Sequence, residues 1–299
     1  MKRKLVSQGR ATLTVSLPSR WTKTFGLKSG DELDINEEAG KLILSTTGEV
    51  ALEKTTIDVK DIGQKLLRKF LPAAYKLGFD EITVLVEGPG QIEEIQKAIQ
   101  RSLLGFEIVS QSKTSCTIKC IGGPLDNEFD SILRRIFLML KSMATDGCDA
   151  IKAKEFEQLM SIKSSEQINN RLTTICRRII NKKGYTKHST YLYCLVNELE
   201  KIADEYRDLF TYVAENKIAV APEVLNLLSA VNNAFIELYE LFYKYDKNRA
   251  IALDKEKAKL GNDINDAFAK KKDGKILHHM LSIVDKTSNL LSYTIGLKL

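Results

Sequence analysis

Three carboxylates, Glu200, Asp204 and Asp208, recur every fourth residue in the segment LVNELEKIADEYRDLF. On a helix that spacing stacks them along one face, one turn above the next. Like charges so placed repel by about 0.2–0.5 kcal/mol per pair. The ladder therefore needs a cation, either Arg207 or a bound metal, unless it is simply a solvated face. Hard divalent ions take oxygen ligands of this type. The same segment carries Leu192, Leu195, Leu199, Ile202, Tyr206 and Leu209 at helical spacing, an apolar stripe that would seat the helix in a bundle.

Further carboxylates stand at related positions. The C-terminal half reads as a three-helix unit used twice, which sets Glu166–Asn170 opposite Asn262–Asp266 and Glu200–Asp204 opposite Leu281–Asp285. Leu281 then stands where a carboxylate is expected, leaving Asp285. His278, seven residues before Asp285, shares its helical face and is the candidate replacement. The plainer alternative makes His278 and His279 ordinary surface histidines. Neither they nor His188 accompany a nucleophile elbow, and no phosphate-cradling loop or dinucleotide fingerprint occurs, so no enzyme is expected. A metal-assisted phosphohydrolase built on the ladder is the remaining catalytic alternative. The five cysteines are scattered, without paired CxxC knuckles, and read as packed thiols.

These groups must be positioned by more than one folding unit, because 299 residues exceed what a single core usually serves. No apolar run approaches the ~20 residues of a membrane span, and the charged start MKRKLVSQGR has no apolar region behind it. A cytoplasmic chain is expected. Residues 1–48 contain a strand with Leu13, Val15 and Leu17 alternating against Thr12, Thr14 and Ser16, preceded by a turn at Gly9. Pro18 then opens a short helix with Trp21 and Phe25 on one face and Gly26 to end it, before a second hairpin that turns at EEAG. Residues 49–121 alternate helix and strand: Asp61 to Leu77 as a helix kinked or interrupted at Pro72, EITVLVE as a buried strand, then a helix closed by Gly105 and a final hairpin. This part is expected to be a linker or dimerisation domain. Residues 122–299 read as helices beginning near Asp126, Ala153, Thr190, Pro222, Asn248 and Gly274, with breaks at Asp146-Gly147, Lys182–Tyr185, Asn216–Pro222 and Asp273-Gly274.

The first thirty residues contain Lys2, Arg3, Lys4, Arg10, Arg20, Lys23 and Lys28 and no acid before Asp31. A one-sign segment of this kind suits phosphate contacts on nucleic acid. Its stretch GRATLTVSLPSRWTKTFGLKSGDELDI resembles the swapped-hairpin modules of the AbrB/SpoVT regulators, through Leu17-Pro18, Trp21, Phe25 and the turn Gly26, Leu27, Gly30, Asp31. The resemblance implies a β barrel interleaved from two copies. It also implies double-stranded DNA contacted by Lys2, Arg3, Lys4 and Arg10 near the first hairpin and by Arg20 and Lys23 on the helix. Farther on, Glu198, Leu199, Glu200, Ile202 and Asp204 resemble the signature helix of the PhoU phosphate-uptake family. The segment LLGFEIVSQSKTSCTIKCI looks like the middle part of archaeal PhoU-like proteins that begin with such a DNA-binding module. Together these imply a multidomain α+β protein: a dimeric swapped-hairpin barrel, a small α/β middle domain, and an all-α PhoU-like bundle of two three-helix repeats. The implied function is DNA-binding regulation of phosphate uptake by a homodimer, with Glu166, Glu200, Asp204, Asp208, Asp266, His278 and Asp285 as candidate ligands for Fe, Zn, Mn or Mg. The competing reading is an adaptor that binds a phosphate transporter or signalling kinase without touching DNA.

Overall fold

The computed structural model describes residues 2–9, 11–38, 40–46, 52–122, 128–183, 188–270 and 273–299, and the chain divides into two units, Met1–Glu53 and Lys54–Leu299.

In the first unit β1 (Val6–Gln8) pairs antiparallel with β2 (Thr12–Thr14), turning at Gly9, whose φ of 76° is the left-handed conformation that a residue without Cβ adopts freely. The short helix α1 (Ser19–Thr24) follows, with the Trp21 and Phe25 rings 5.5 Å apart. Gly26 ends it as expected: its φ is 65° and the Leu27 N–H returns to the Thr22 carbonyl at 2.9 Å. A second hairpin joins β3 (Leu33–Glu38) to β4 (Lys41–Thr46). The two hairpins form separate two-stranded sheets, so the expected barrel is not closed within one chain. None of the unit's described residues with assigned burial is buried; Leu13, Ile35 and Leu42 are 65%, 60% and 66% exposed.

In the second unit β5 (Lys54–Asp58), a strand that sequence patterning missed, runs parallel to β6 (Glu81–Leu85) across the helix α2 (Gln64–Leu77). Helix α2 continues through Pro72 rather than breaking there. Helix α3 (Pro89–Ser102) leads to the hairpin of β7 (Phe106–Gln111) and β8 (Ser115–Cys120), giving the strand order β5-β6-β8-β7 with β7 at one edge. Alternate residues of the central strands, Ile82, Val84, Cys116 and Ile118, pack with Leu67, Leu71, Tyr75, Ile95 and Phe106 into one core.

Six helices follow among the described residues: α4 (Phe129–Ala153), α5 (Phe156–Lys183), α6 (Ser189–Glu215), α7 (Pro222–Tyr243), α8 (Lys247–Ala269) and α9 (Gly274–Gly296). Helix α5 lies against α4 and α6 as α8 lies against α7 and α9, and α4–α7 and α6–α9 contacts join the triplets over one apolar core. The break expected at Asp146-Gly147 does not occur. Gly147 lies inside α4 because the Phe210 ring takes the space of a side chain: an added Cβ would sit 2.2 Å from Phe210 Cζ. No helix among the described residues is long and apolar enough to cross a membrane.

Helix α5 also carries the sheet module. Arg178 donates through Nη1 to the Tyr75 and Phe79 carbonyls at 3.0 and 2.8 Å and through Nη2 to Asp80 at 2.6 Å. Asn181 Nδ2 donates to the Lys76 carbonyl at 2.6 Å, and Lys182 Nζ pairs with Asp80 at 2.6 Å. The carbonyls of Tyr75 and Lys76 in the last turn of α2, and of Phe79 just beyond it, thus accept bonds from α5, Tyr75 beside the one it takes from the Gly78 N–H at 3.1 Å. Sheet and bundle form one body.

Candidate functional site

The polar seam between α5 and α6 follows from two amphipathic helices whose apolar stripes point into the bundle. Leu195, Leu199, Ile202, Tyr206 and Leu209 are fully buried, as the spacing predicts, and the carboxylates flank that stripe. Facing them, α5 offers Glu166, Asn170, Thr173 and Arg177 at helical spacing, and all of these except Asn170 are buried.

The ladder divides between two guanidinium groups. At one end Arg207 Nη1 lies 2.8 Å from Glu166 Oε1 and 2.6 Å from Asp204 Oδ1, while its Nε lies 2.9 Å from Asp208 Oδ1. At the other end Glu200 pairs with Arg177 across the helices and accepts from Thr173 Oγ1 at 3.4 Å. Arg177 also lies over the Tyr193 ring, 5.9 Å from its centroid.

Protonation follows this layout. Burial raises the Asp204 carboxyl above its ordinary value; the Arg207 charge opposes that, and a hydrogen bond with Glu166 adds to it. Burial would lower Arg207, but its bond to Asp208 and the charges of Asp204 and Glu166 outweigh this and hold it protonated. Lys76, at the end of α2, is lowered by burial and by Arg177, with Glu200 acting the other way. The seam therefore extends electrostatically to the sheet module.

The expected metal ligands do not form one set. Glu166, Asp204 and Asp208 meet around Arg207, Glu200 turns away to Arg177, and Asp266, His278 and Asp285 are exposed on α8 and α9. Among the described residues no three His, Cys, Asp or Glu side chains form a cage. Hard oxygen donors are present, including the buried and unpaired Asn170 Oδ1, but a guanidinium occupies the middle of the group. A divalent ion does not fit these residues as they stand.

His278 is exposed, as an ordinary surface histidine would be, but His279 is not. His279, not His278, is buried, with Nδ1 2.7 Å from Glu205 Oε2; Ser282 donates to Glu205 Oε1 at 2.7 Å and Lys286 Nζ lies 3.1 Å from it. Burial alone would raise Glu205, but the bonds from His279, Ser282 and Lys286 outweigh it and hold the carboxyl at about 2. The signal was available: residues 279, 282 and 286 fall at i, i+3 and i+7, one helical face.

In the first unit Lys2, Arg3 and Lys4 precede β1, and Arg20 and Lys23 lie on α1. All five are exposed and none pairs with a carboxylate of another described residue. Arg10 lies outside the described residues.

No protein-family model and no curated protein matches this chain. Among solved structures, the phosphate transport system regulatory protein PhoU from Streptococcus pneumoniae is similar to it at 12% identity and a TM-score of 0.43, covering 58% of this chain and 94% of that one.

Proposed function

We propose that this chain is a non-catalytic regulator of phosphate uptake that works as an adaptor, its helical bundle contacting a phosphate transporter or signalling kinase and its N-terminal units pairing two copies. The observation that carries the reading is the closure of the seam. Of the signature carboxylates, Glu200 and Asp204 already meet arginines of the same chain and Glu198 meets Lys201 at 3.2 Å, so the bundle offers a filled scaffold and acts through its surface. The phosphate assignment rests on Glu198, Leu199, Glu200, Ile202 and Asp204 at the signature positions. Pairing of copies is supported by the unburied Leu13, Ile35 and Leu42, which a single unit of two hairpins leaves in water. The test is titration of the full chain into the purified phosphate transporter in nanodiscs. Saturable binding is expected, weaker for residues 54–299 alone because two linked bundles gain avidity. Absence of binding to both transporter and cognate kinase would exclude the adaptor.

A second reading, DNA contact by the paired units, is favoured by Lys2, Arg3, Lys4, Arg20 and Lys23 being exposed and unpaired in a stretch without acids. Each cation set against a phosphate releases counterions and steepens the salt dependence of binding. Replacing Arg20 and Lys23 with Ala should weaken binding to duplex DNA and flatten its salt slope. A wild-type chain without affinity for duplex DNA at low salt removes this reading.

A further inference from the structure

Arg171 stands two helical turns before Arg178 on α5, on the same face. The two arginines have opposite fates. Arg178 gives both Nη groups to Asp80 and to the carbonyls of Tyr75 and Phe79, whereas Arg171, half-buried, makes no ion pair or hydrogen bond with any described residue. It lines an open cleft of about 470 Å³ between α5, the exposed face of α3 and the edge strand β7. Gln96 and Gln100 supply amide donors on the α3 side, the exposed Leu104 supplies apolar surface beside the edge of the otherwise buried Ile99, and Glu107 is the one carboxylate among the lining residues.

We propose that this cleft binds a small organic anion with one phosphate or carboxylate head, held by Arg171, and an apolar or aromatic body lying on Leu104. A guanidinium partly withdrawn from water and lacking a counter-ion is stabilised by a planar or tetrahedral oxyanion that accepts two parallel bonds. The volume falls in the range of small-molecule sites. Glu107 restricts the ligand to a single charged head, because a second negative group near it would be repelled. Occupancy would bridge α3 and β7 to α5, so the ligand stabilises the docking of sheet on bundle. This goes beyond the adaptor reading and does not depend on it: it gives the chain a site for a small-molecule effector.

Calorimetry on the full chain tests it with three probes: phenyl phosphate and benzoate, which share a ring and differ in head, and inorganic phosphate, which has no body. One of the ring-bearing probes should bind, at least tenfold more tightly than inorganic phosphate, and which of them does identifies the head. Arg171→Gln should weaken that binding at least tenfold with an unchanged melting temperature in the absence of probe. Arg171→Lys, which keeps the charge but not the fork, should fall between, and Glu107→Gln should strengthen binding. No heat from either ring-bearing probe, equal binding of inorganic phosphate, or undiminished binding by Arg171→Gln would overturn the proposal.

Discussion

Arg178 and Asp80, 98 residues apart in sequence, meet at 2.6 Å with both side chains almost withdrawn from solvent. Their contact decides how the second unit is built, because Asp80 closes the loop into β6 and Arg178 projects from the middle helix of the bundle. A guanidinium that also caps α2 makes the junction directional, so the sheet has one seat on α5.

Breaking that pair should separate the two parts. Removing one partner of a buried ion pair typically costs about 3–5 kcal/mol, since the other charge stays buried. Arg178→Ala should lower stability by that order in chemical denaturation and raise hydrogen exchange at the α2 and α5 amides. A loss below about 1 kcal/mol would mean that Lys182 and Asn181 hold the junction unaided.

Gly147 offers a sharper test of packing. Its absent side chain lets α4 approach the Phe210 ring, so Gly147→Ala forces that ring off its stacking on Tyr206, where the centroids are 5.7 Å apart. Overpacking of this kind costs about 1–3 kcal/mol, against the roughly 1 kcal/mol that Ala gains over Gly in a helix interior. The melting temperature should fall; a rise would show that the helix gain exceeds the clash.

Much of this architecture is legible in the sequence, and the exceptions share a cause. The stripe from Leu192 to Leu209, the turn at Gly26 and the β7–β8 hairpin depend on local periodicity, which the chain writes directly. Asp146-Gly147 looks like a helix break because the same dipeptide makes turns, and only the distant Phe210 explains its place in a helix. Strand β5 is half-exposed and short, so its alternation is weak. The burial of His279 rather than His278 turns on one 100° step around α9: the spacing of 279, 282 and 286 marks their shared face, and Glu205 on α6 is the partner that the spacing does not name. Arg207 was visible as a counter-charge, but its reach to Glu166 on another helix was not.

The cation in the seam is testable. Wild-type melting should be indifferent to added Mn²⁺, Fe²⁺, Zn²⁺ or Mg²⁺ and to chelator, because Arg207 fills the space between Glu166, Asp204 and Asp208. Arg207→Met should lower the melting temperature by leaving three carboxylates unopposed, and added divalent ion should then recover part of the loss by mass action. A metal-dependent rise in the wild type would show that a divalent ion displaces the arginine.

Glu205 gives the acid limit of the α6–α9 contact. Its carboxyl is held at about 2 against an ordinary 4.5, so the folded state favours the charged form. The contribution is full above pH 4.5 and is lost as pH falls toward 2. Glu205→Gln should cost up to about 3 kcal/mol at pH 7, and the difference from wild type should shrink steadily through that acid window. A difference independent of pH would mean that packing, not charge, is what the substitution removes.

Regulation of phosphate uptake through protein contact by paired copies is the proposal's core. Uptake of radiolabelled phosphate is the direct measure, in cells lacking the chain and in the same cells carrying the full chain or residues 54–299 alone. Loss should change the rate of uptake, the full chain should restore it, and the bundle without its pairing unit should restore it only in part. Uptake identical with and without the chain, in both phosphate-rich and phosphate-poor medium, would contradict the central claim.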